Sequence, residues 1–425
     1  MTMTIREIRK EIQDFNNRDS VSRNEIQDFC LKFRDIDCNV ALFWAPRVGK
    51  TNATLNILNG ESVLVCSNTQ LIRDNWVESL STYTGEWNSI CYASLKNQNP
   101  VYDTIVCDEA DLISENYADL IRNLNPKKVI FLTGTATMRL GALLDSITSV
   151  TKKDTVKWYV DIPKAIQWGI LPKPKIVCVK LGLRNGKRDQ LYPVSKAKDK
   201  TNTVIPYMDY LSLNNYDRFT RSKKENFHVQ CSEQEYSKMI DNDIEYWKSI
   251  NKDPNSKVPN MIAVNKMKLL GSQRKEFYAQ KKLRYLDRLI KYFQLEGKRL
   301  LIFANSINQA ESVDFENDGY NVIVSTNKNK DALDRFNGLD SFRLIAVGML
   351  DRGIEIRNID ASIIIQVSAT DASITQKASR NLLDNNPLLI LPFFGGTKDE
   401  EWVSKFVTKF PSEFVKVVDV SKYCV

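Results

Sequence analysis

The feature that most constrains this chain is a junction near its amino end. The apolar run Val40–Trp44 leads directly into Ala45-Pro46-Arg47-Val48-Gly49-Lys50-Thr51. A short apolar run bounded in this way reads as a buried strand. A tight loop and a helix N-terminus after such a strand aim several backbone N–H groups at one point, where they can cradle phosphate. In that geometry Lys50 reaches the β and γ oxygens of a nucleotide, and Thr51 can hold Mg2+. Gly49 allows the close approach. The full form of this loop begins and ends on glycine, whereas here Trp44 occupies the first position and Arg47 the middle.

A second junction completes the chemistry. Thr104–Cys107 is another apolar run, and it ends in Asp108-Glu109-Ala110-Asp111. A nucleotide-hydrolysing site needs a carboxylate at a neighbouring strand end to hold Mg2+, and a second to orient or deprotonate the attacking water. Asp108 fits the first role and Glu109 the second. An acidic first turn of a helix would produce the same letters for dipole reasons alone. The cradle 58 residues upstream favours the catalytic reading.

The rest of the chain has the rhythm these junctions require. Further strand-length runs at Ser62–Cys66, Lys128–Leu132 and 176–182 alternate with polar helical stretches. The rhythm resumes at Arg299–Phe303, Asn321–Ser325, Arg343–Val347, Ser362–Gln366 and Leu388–Pro392. Buried parallel strands with helical crossovers read this way. The expected class is α/β. A helical segment at 1–38 precedes a first lobe at 39–182, a basic insertion and linker at 183–295, and a second lobe at 296–425.

Charge singles out the middle. Residues 1–150 carry 15 Lys/Arg against 19 Asp/Glu, and residues 301–425 carry 13 against 17. Residues 151–300 carry 32 against 16. The whole positive excess of +8 therefore comes from the middle third. A polyanion would be drawn there, with steep salt dependence; the bland alternative is a solvated, lysine-rich linker. Lys281, Lys282 and Arg284 are the expected contacts. Tyr207, Tyr210, Tyr216, Phe219 and Phe227 are interleaved with the basic residues and could stack on bases or form a small local core.

Composition excludes several classes. None of the eight cysteines forms a C-x-x-C pair, and His228 is the sole histidine. A zinc site or a histidine-based nuclease would need more ligands than these. The cysteines read as buried, reduced thiols of a cytoplasmic protein. No apolar run approaches the length of a membrane span, so no membrane partner is expected.

The order of motifs resembles helicase superfamily 2 over roughly residues 20–395. Val63–Cys66 with Ser67, Asn68 and Thr69, then Leu71 and Trp76, resembles motif Ia. Thr133-Gly134-Thr135-Ala136-Thr137 resembles motif III, and Leu301–Ser306, which contains Asn305, resembles motif IV. Gly348–Ile356 resembles motif V, and Gln376-Lys377-Ala378-Ser379-Arg380 resembles motif VI. The resemblance implies two RecA-like parallel-sheet lobes with ATP and Mg2+ between them. It implies strand contacts at Ser67, Asn68, Thr69 and Asn305, and nucleotide contacts at Gly353 and Glu355. It also implies transition-state cations at Arg352 and Arg380, and an adenine-reading amide at Gln27. Where the family has a second motif VI arginine this chain has Leu383, and Ser379 replaces the usual glycine. Those departures imply slower hydrolysis.

The long basic insert and the Thr-Gly-Thr motif are similar to the DNA-directed branch, including restriction-type motors and phage branched-DNA helicases. The expected function is an ATP-dependent DNA helicase or translocase, monomeric in isolation, acting on single-stranded or branched DNA in replication, repair or recombination. An RNA helicase with the same motor, and a nucleic-acid-binding clamp with a degenerate ATPase, are the alternatives.

Overall fold

The computed structural model describes residues 3–98, 101–134, 138–193, 202–213, 226–253, 260–313, 322–325, 336–338, 343–347, 356, 358–367 and 388–420. The first sheet holds β1 (Asn39–Trp44), β2 (Val63–Ser67), β3 (Trp87–Cys91), β4 (Thr104–Asp108), β5 (Lys128–Thr133) and β6 (Thr155–Val160). Its spatial order is β3-β2-β4-β5-β1-β6, and every pairing is parallel. β1 is buried at all six positions, as a central strand covered on both faces must be.

Helices α1 (Ile5–Asn16) and α2 (Arg23–Phe29) belong to this lobe rather than standing apart from it. Each opens with a capping box, Thr4 with Glu7 and Ser22 with Glu25, which fixes where the helix starts. Phe15 packs edge-on against Trp158 of β6, and the Trp158 indole donates to Asn16. The expected helical segment is therefore the cover of the β6 edge. Four more helices complete the lobe: α3 (Lys50–Ile57), α4 (Gln70–Leu80), α5 (Glu115–Asn123) and α6 (Met138–Thr148).

After α7 (Ile162–Gln167) the chain crosses to the second sheet. β7 (Lys175–Leu181), expected in the first lobe, instead lies in the second, between two strands from the far end of the sequence. An apolar run reports burial but not which sheet buries it, and this boundary is corrected accordingly. β8 (Gln190–Pro193), β9 (Asn202–Pro206) and β10 (Asn226–Cys231) form a small separate sheet in the order β8-β10-β9. Helix α8 (Tyr207–Ser212) packs on it. Then come the long helices α9 (Glu233–Lys252) and α10 (Asn260–Leu283), and the short α11 (Leu286–Tyr292).

The second sheet continues with β11 (Leu300–Phe303), β12 (Val322–Ser325), β13 (Arg343–Ala346), β14 (Ala361–Ile364), β15 (Leu388–Phe394) and β16 (Val415–Asp419). Its order is β12-β13-β11-β14-β15-β7-β16, again parallel throughout. Helices α12 (Ile307–Glu311) and α13 (Lys398–Val407) flank it. The basic middle thus leaves this sheet after β7 and returns to it at β11, which makes it an insertion within the second lobe. The expected loop-rich character of 183–260 holds only in part, since a 20-residue helix and a three-stranded sheet with its own apolar core lie inside it. Among the described residues, no helix is long and apolar enough to cross a membrane.

Candidate nucleotide and nucleic-acid site

The candidate site lies at the carboxyl ends of β1 and β4, where an open parallel sheet conventionally binds ligands. Gly49 is the N-cap of α3 and has φ 103°, a left-handed conformation that suits glycine. A side chain there would also collide with Gln27, because a Cβ would lie 1.9 Å from Gln27 Nε2. Arg47 sits at φ 71°, also left-handed. The loop thus places a non-glycine residue in a backbone conformation that favours glycine.

Lys50 begins α3 and folds back over the loop, donating to the Trp44 carbonyl at 3.0 Å and the Ala45 carbonyl at 3.5 Å. Burial pushes its ammonium below the usual lysine range, and Glu109, Asp108 and Asp111 pull it back up. Loop, lysine and acidic motif therefore form one electrostatic unit. Thr51 follows in the first turn of α3 and is partly buried.

Asp108 is pinned at both carboxylate oxygens. Oδ2 accepts from the Trp76 indole at 2.8 Å, and Oδ1 accepts from the Glu109 backbone N–H at 2.8 Å. Its backbone carbonyl accepts from the Tyr92 hydroxyl at 2.8 Å. Burial pushes the Asp108 carboxyl up, while the Trp76 bond and Lys50 oppose that rise. Glu109 has φ 51°, a strained conformation of the kind stored at functional sites. Asp111 accepts from Thr133 Oγ1 at 3.0 Å, which ties the acidic motif to the end of β5. Gly134 follows, and a Cβ there would lie 3.3 Å from Pro46 Cδ of the phosphate loop. Loop, acidic motif and the start of the motif III-like turn are thus in direct contact.

Gln27 tests whether these residues suit a nucleotide. It lies against the loop at 7% exposure, its backbone carbonyl accepts from Asn56, and its Nε2 has no hydrogen-bond partner. A buried, unsatisfied amide is costly. An acceptor on a nucleotide base could satisfy it, so the residues beside the loop suit a nucleotide.

The expected strand contacts divide into three groups. Ser67 is fully buried and donates to the Thr69 and Ile90 carbonyls, so it shapes the turn after β2. Asn68 is exposed and Thr69 caps α4, so both lie where a strand could reach them. Asn305 and Ser306 donate to the two oxygens of Glu276 on α10, at 2.7 and 3.1 Å.

The basic trio is corrected. Lys282 is 2% exposed and is held at 2.8 Å by Asp399, with further bonds to the Ile365 carbonyl and the Gln366 amide. Burial lowers its ammonium and Asp399 opposes this. Arg284 pairs with Glu233, and Lys281 Nζ is 3.8 Å from the same carboxylate and donates to Gln190 at 2.6 Å. Lys282 is thus spent on the second sheet, and Lys281 and Arg284 on the insertion, through Glu233 of α9 and Gln190 of β8. Among the described residues, Lys266 and Lys268 of α10 and Arg288 and Lys291 of α11 are exposed cations.

Two residues that sequence reasoning did not assign to the site are Trp76 and Tyr92. In the sequence the tryptophan is only part of the motif Ia-like pattern, and nothing around Tyr92 marks it. Arg352, Gly353, Glu355, Arg380 and Leu383 lie outside the described residues, as do Thr135, Ala136 and Thr137. The lobes meet at a cavity of about 950 Å³ lined by Gly134 and Tyr159 from the first and Pro411 and Phe414 from the second.

Comparison with known proteins bears on the whole arrangement. Residues 281–382 match the family model described as helicase conserved C-terminal domain. No curated protein matches the chain in sequence. Among solved structures, Dbp5 of S. cerevisiae bound to Gle1 and IP6 is 11% identical, with a TM-score of 0.52 over 97% of this chain and 92% of that one. Dbp5 bound to RNA and ADP BeF3 gives 11% and 0.51, over 97% and 93%. The Pyrococcus furiosus Hef helicase domain is 14% identical, with a TM-score of 0.46 over 92% and 98%. The likeness to Dbp5 shows the fold, two RecA-like parallel-sheet lobes, and residues 281–382 are similar to the helicase conserved C-terminal domain.

Proposed function

We propose that the chain is an ATP-dependent DNA translocase or helicase. One observation carries the reading above others: Gln27, Gly49, Lys50, Asp108 and Glu109 converge at the strand ends of a lobe that faces a second parallel lobe. In this reading Lys50 leaves the loop carbonyls to meet the β and γ oxygens, and the Gln27 amide meets the base. Mg2+, held by Asp108 and Thr51, would neutralise phosphate charge. Glu109 orients the attacking water and takes its proton. Arg352 and Arg380 supply cations from the second lobe, and Gly353 and Glu355 complete the nucleotide contacts. Asn68, Thr69 and Asn305 meet the strand.

DNA is favoured over RNA by the Thr-Gly-Thr motif and the long basic insertion. The test is ATPase rate without nucleic acid and with single-stranded DNA, forked DNA and RNA. DNA should stimulate hydrolysis, forked or single-stranded, and Lys50→Ala should abolish it. Stimulation by RNA alone would transfer the reading to an RNA motor. A rate that neither nucleic acid nor Lys50→Ala alters would end it.

A further inference from the structure

The Trp76 indole N–H is the one side-chain donor seen on the Asp108 carboxylate among the described residues, and it comes from the helix that begins at the motif Ia-like loop. We propose that Trp76 is a positioning residue for hydrolysis, and that α4 carries strand occupancy of the 68–69 loop to Asp108 through this N–H. The inference rests on the motor reading above.

An indole N–H is a donor with no acceptor capacity, so this bond fixes Oδ2 as the accepting atom. At 2.8 Å to a carboxylate it is a strong, charge-assisted bond. Trp76 is 1% exposed, so its ring has no room for another rotamer. With the Glu109 N–H on Oδ1, both oxygens are committed and the carboxylate plane is set. Neighbours that orient a metal-binding carboxylate are commonly worth 10–100-fold in affinity or activity.

The same helix provides the link outward. Thr69 caps α4, its Oγ1 accepting from the Ile72 N–H at 3.3 Å, which ties the loop to the helix. Trp76 lies roughly 10 Å further along the helix. In this proposal, a strand backbone that shifts the loop shifts the indole against Asp108. A core-filling role alone would be served by phenylalanine, which carries no N–H.

Trp76→Phe keeps most of the ring volume and deletes the donor. Its Mg2+ requirement in the ATPase assay should rise about tenfold, with a smaller change in kcat at saturating Mg2+. Stimulation by single-stranded DNA should fall several-fold, while Mg2+-free ATP binding is unchanged. A stimulated wild type beside a folded Trp76→Phe variant with the same Mg2+ requirement and the same stimulation would overturn the role of Trp76 alone. A wild type that no strand stimulates would instead overturn the motor reading.

Should the variant misfold, the wild-type protein decides. One of the seven tryptophan indole N–H resonances in an 15N-labelled sample should shift on adding Mg2+ without nucleotide. It should shift again on adding a fluorescently labelled oligonucleotide whose binding is followed by anisotropy. Bound oligonucleotide with no indole shift would reject the coupling.

Discussion

In the proposed reading, Gln27 makes the nucleotide site specific for its base. Its Nε2 is buried without a partner beside Gly49, and a base that met it would relieve that desolvation cost. Gln27→Ala should raise KM for ATP by about tenfold, roughly one hydrogen bond to a base. Wild type should use GTP much less well than ATP, and the substitution should leave GTP use nearly unchanged, so that the preference measured by steady-state kinetics collapses. An unchanged preference would remove Gln27 from base recognition. Glu109 belongs to the same scale. Glu109→Gln keeps the shape and removes the base, so kcat should fall at least 100-fold while Mg·ATP binding, followed by fluorescent nucleotide titration, persists.

Glu109 could be named from the sequence because its place depends on local spacing at one strand end, whereas Gln27, on α2, was named only through the resemblance. Trp76 and Tyr92 could not be assigned in either way, because their contacts with Asp108 span 32 and 16 positions and depend on which strands lie side by side.

At the scale of elements, α10 shows how the cations of the basic middle divide between buried and exposed. Composition placed the positive excess there but could not say which way each cation points. Lys282 turns inward and locks α10 to the loop ends of the second sheet through Asp399, which also accepts from the Phe394 and Gln366 N–H groups. Lys282→Ala would leave that carboxylate buried and uncompensated, at a cost of about 3 kcal/mol or more. Urea titration should show it as a lowered midpoint, and a midpoint equal to wild type would contradict the burial. Lys266 and Lys268 point outward from the other end of the same helix. Reversing both charges should weaken DNA binding at low salt, reduce the salt slope and leave the urea midpoint within the usual scatter of surface changes. Equal affinity for wild type and double variant at low salt would move the DNA path away from this helix. The strand pattern itself was legible for the central strands, because buried parallel strands are almost continuously apolar. The edge strands β3 and β6 were missed, since Trp87-Asn88-Ser89 and Thr155–Val160 mix polar with apolar residues where one face meets solvent or a covering helix.

At the scale of the whole molecule, the sequence pattern implied two lobes but put the seam in the wrong place. β7 sits between β15 and β16, so the second lobe is built from residues on both sides of the insertion. The first lobe in turn needs its N-terminal helices: Ile8, Ile12, Phe15, Ile26 and Phe29 are buried, and Trp158 and Trp168 both spend their indole N–H groups on that segment. A fragment of residues 39–182 would therefore expose the β6 edge and that aromatic cluster, and would carry β7 without a partner strand. Such surfaces make a chain aggregate rather than fold. A fragment of residues 1–173 contains every strand of the first sheet and its cover, so it should be soluble and melt in one cooperative transition followed by circular dichroism. It should also bind fluorescent ATP, weakly, because Lys50, Gln27 and Asp108 are all present. The opposite result, a well-folded 39–182 and an insoluble 1–173, would mean that the seam lies after β7 and that the N-terminal helices are an appendage.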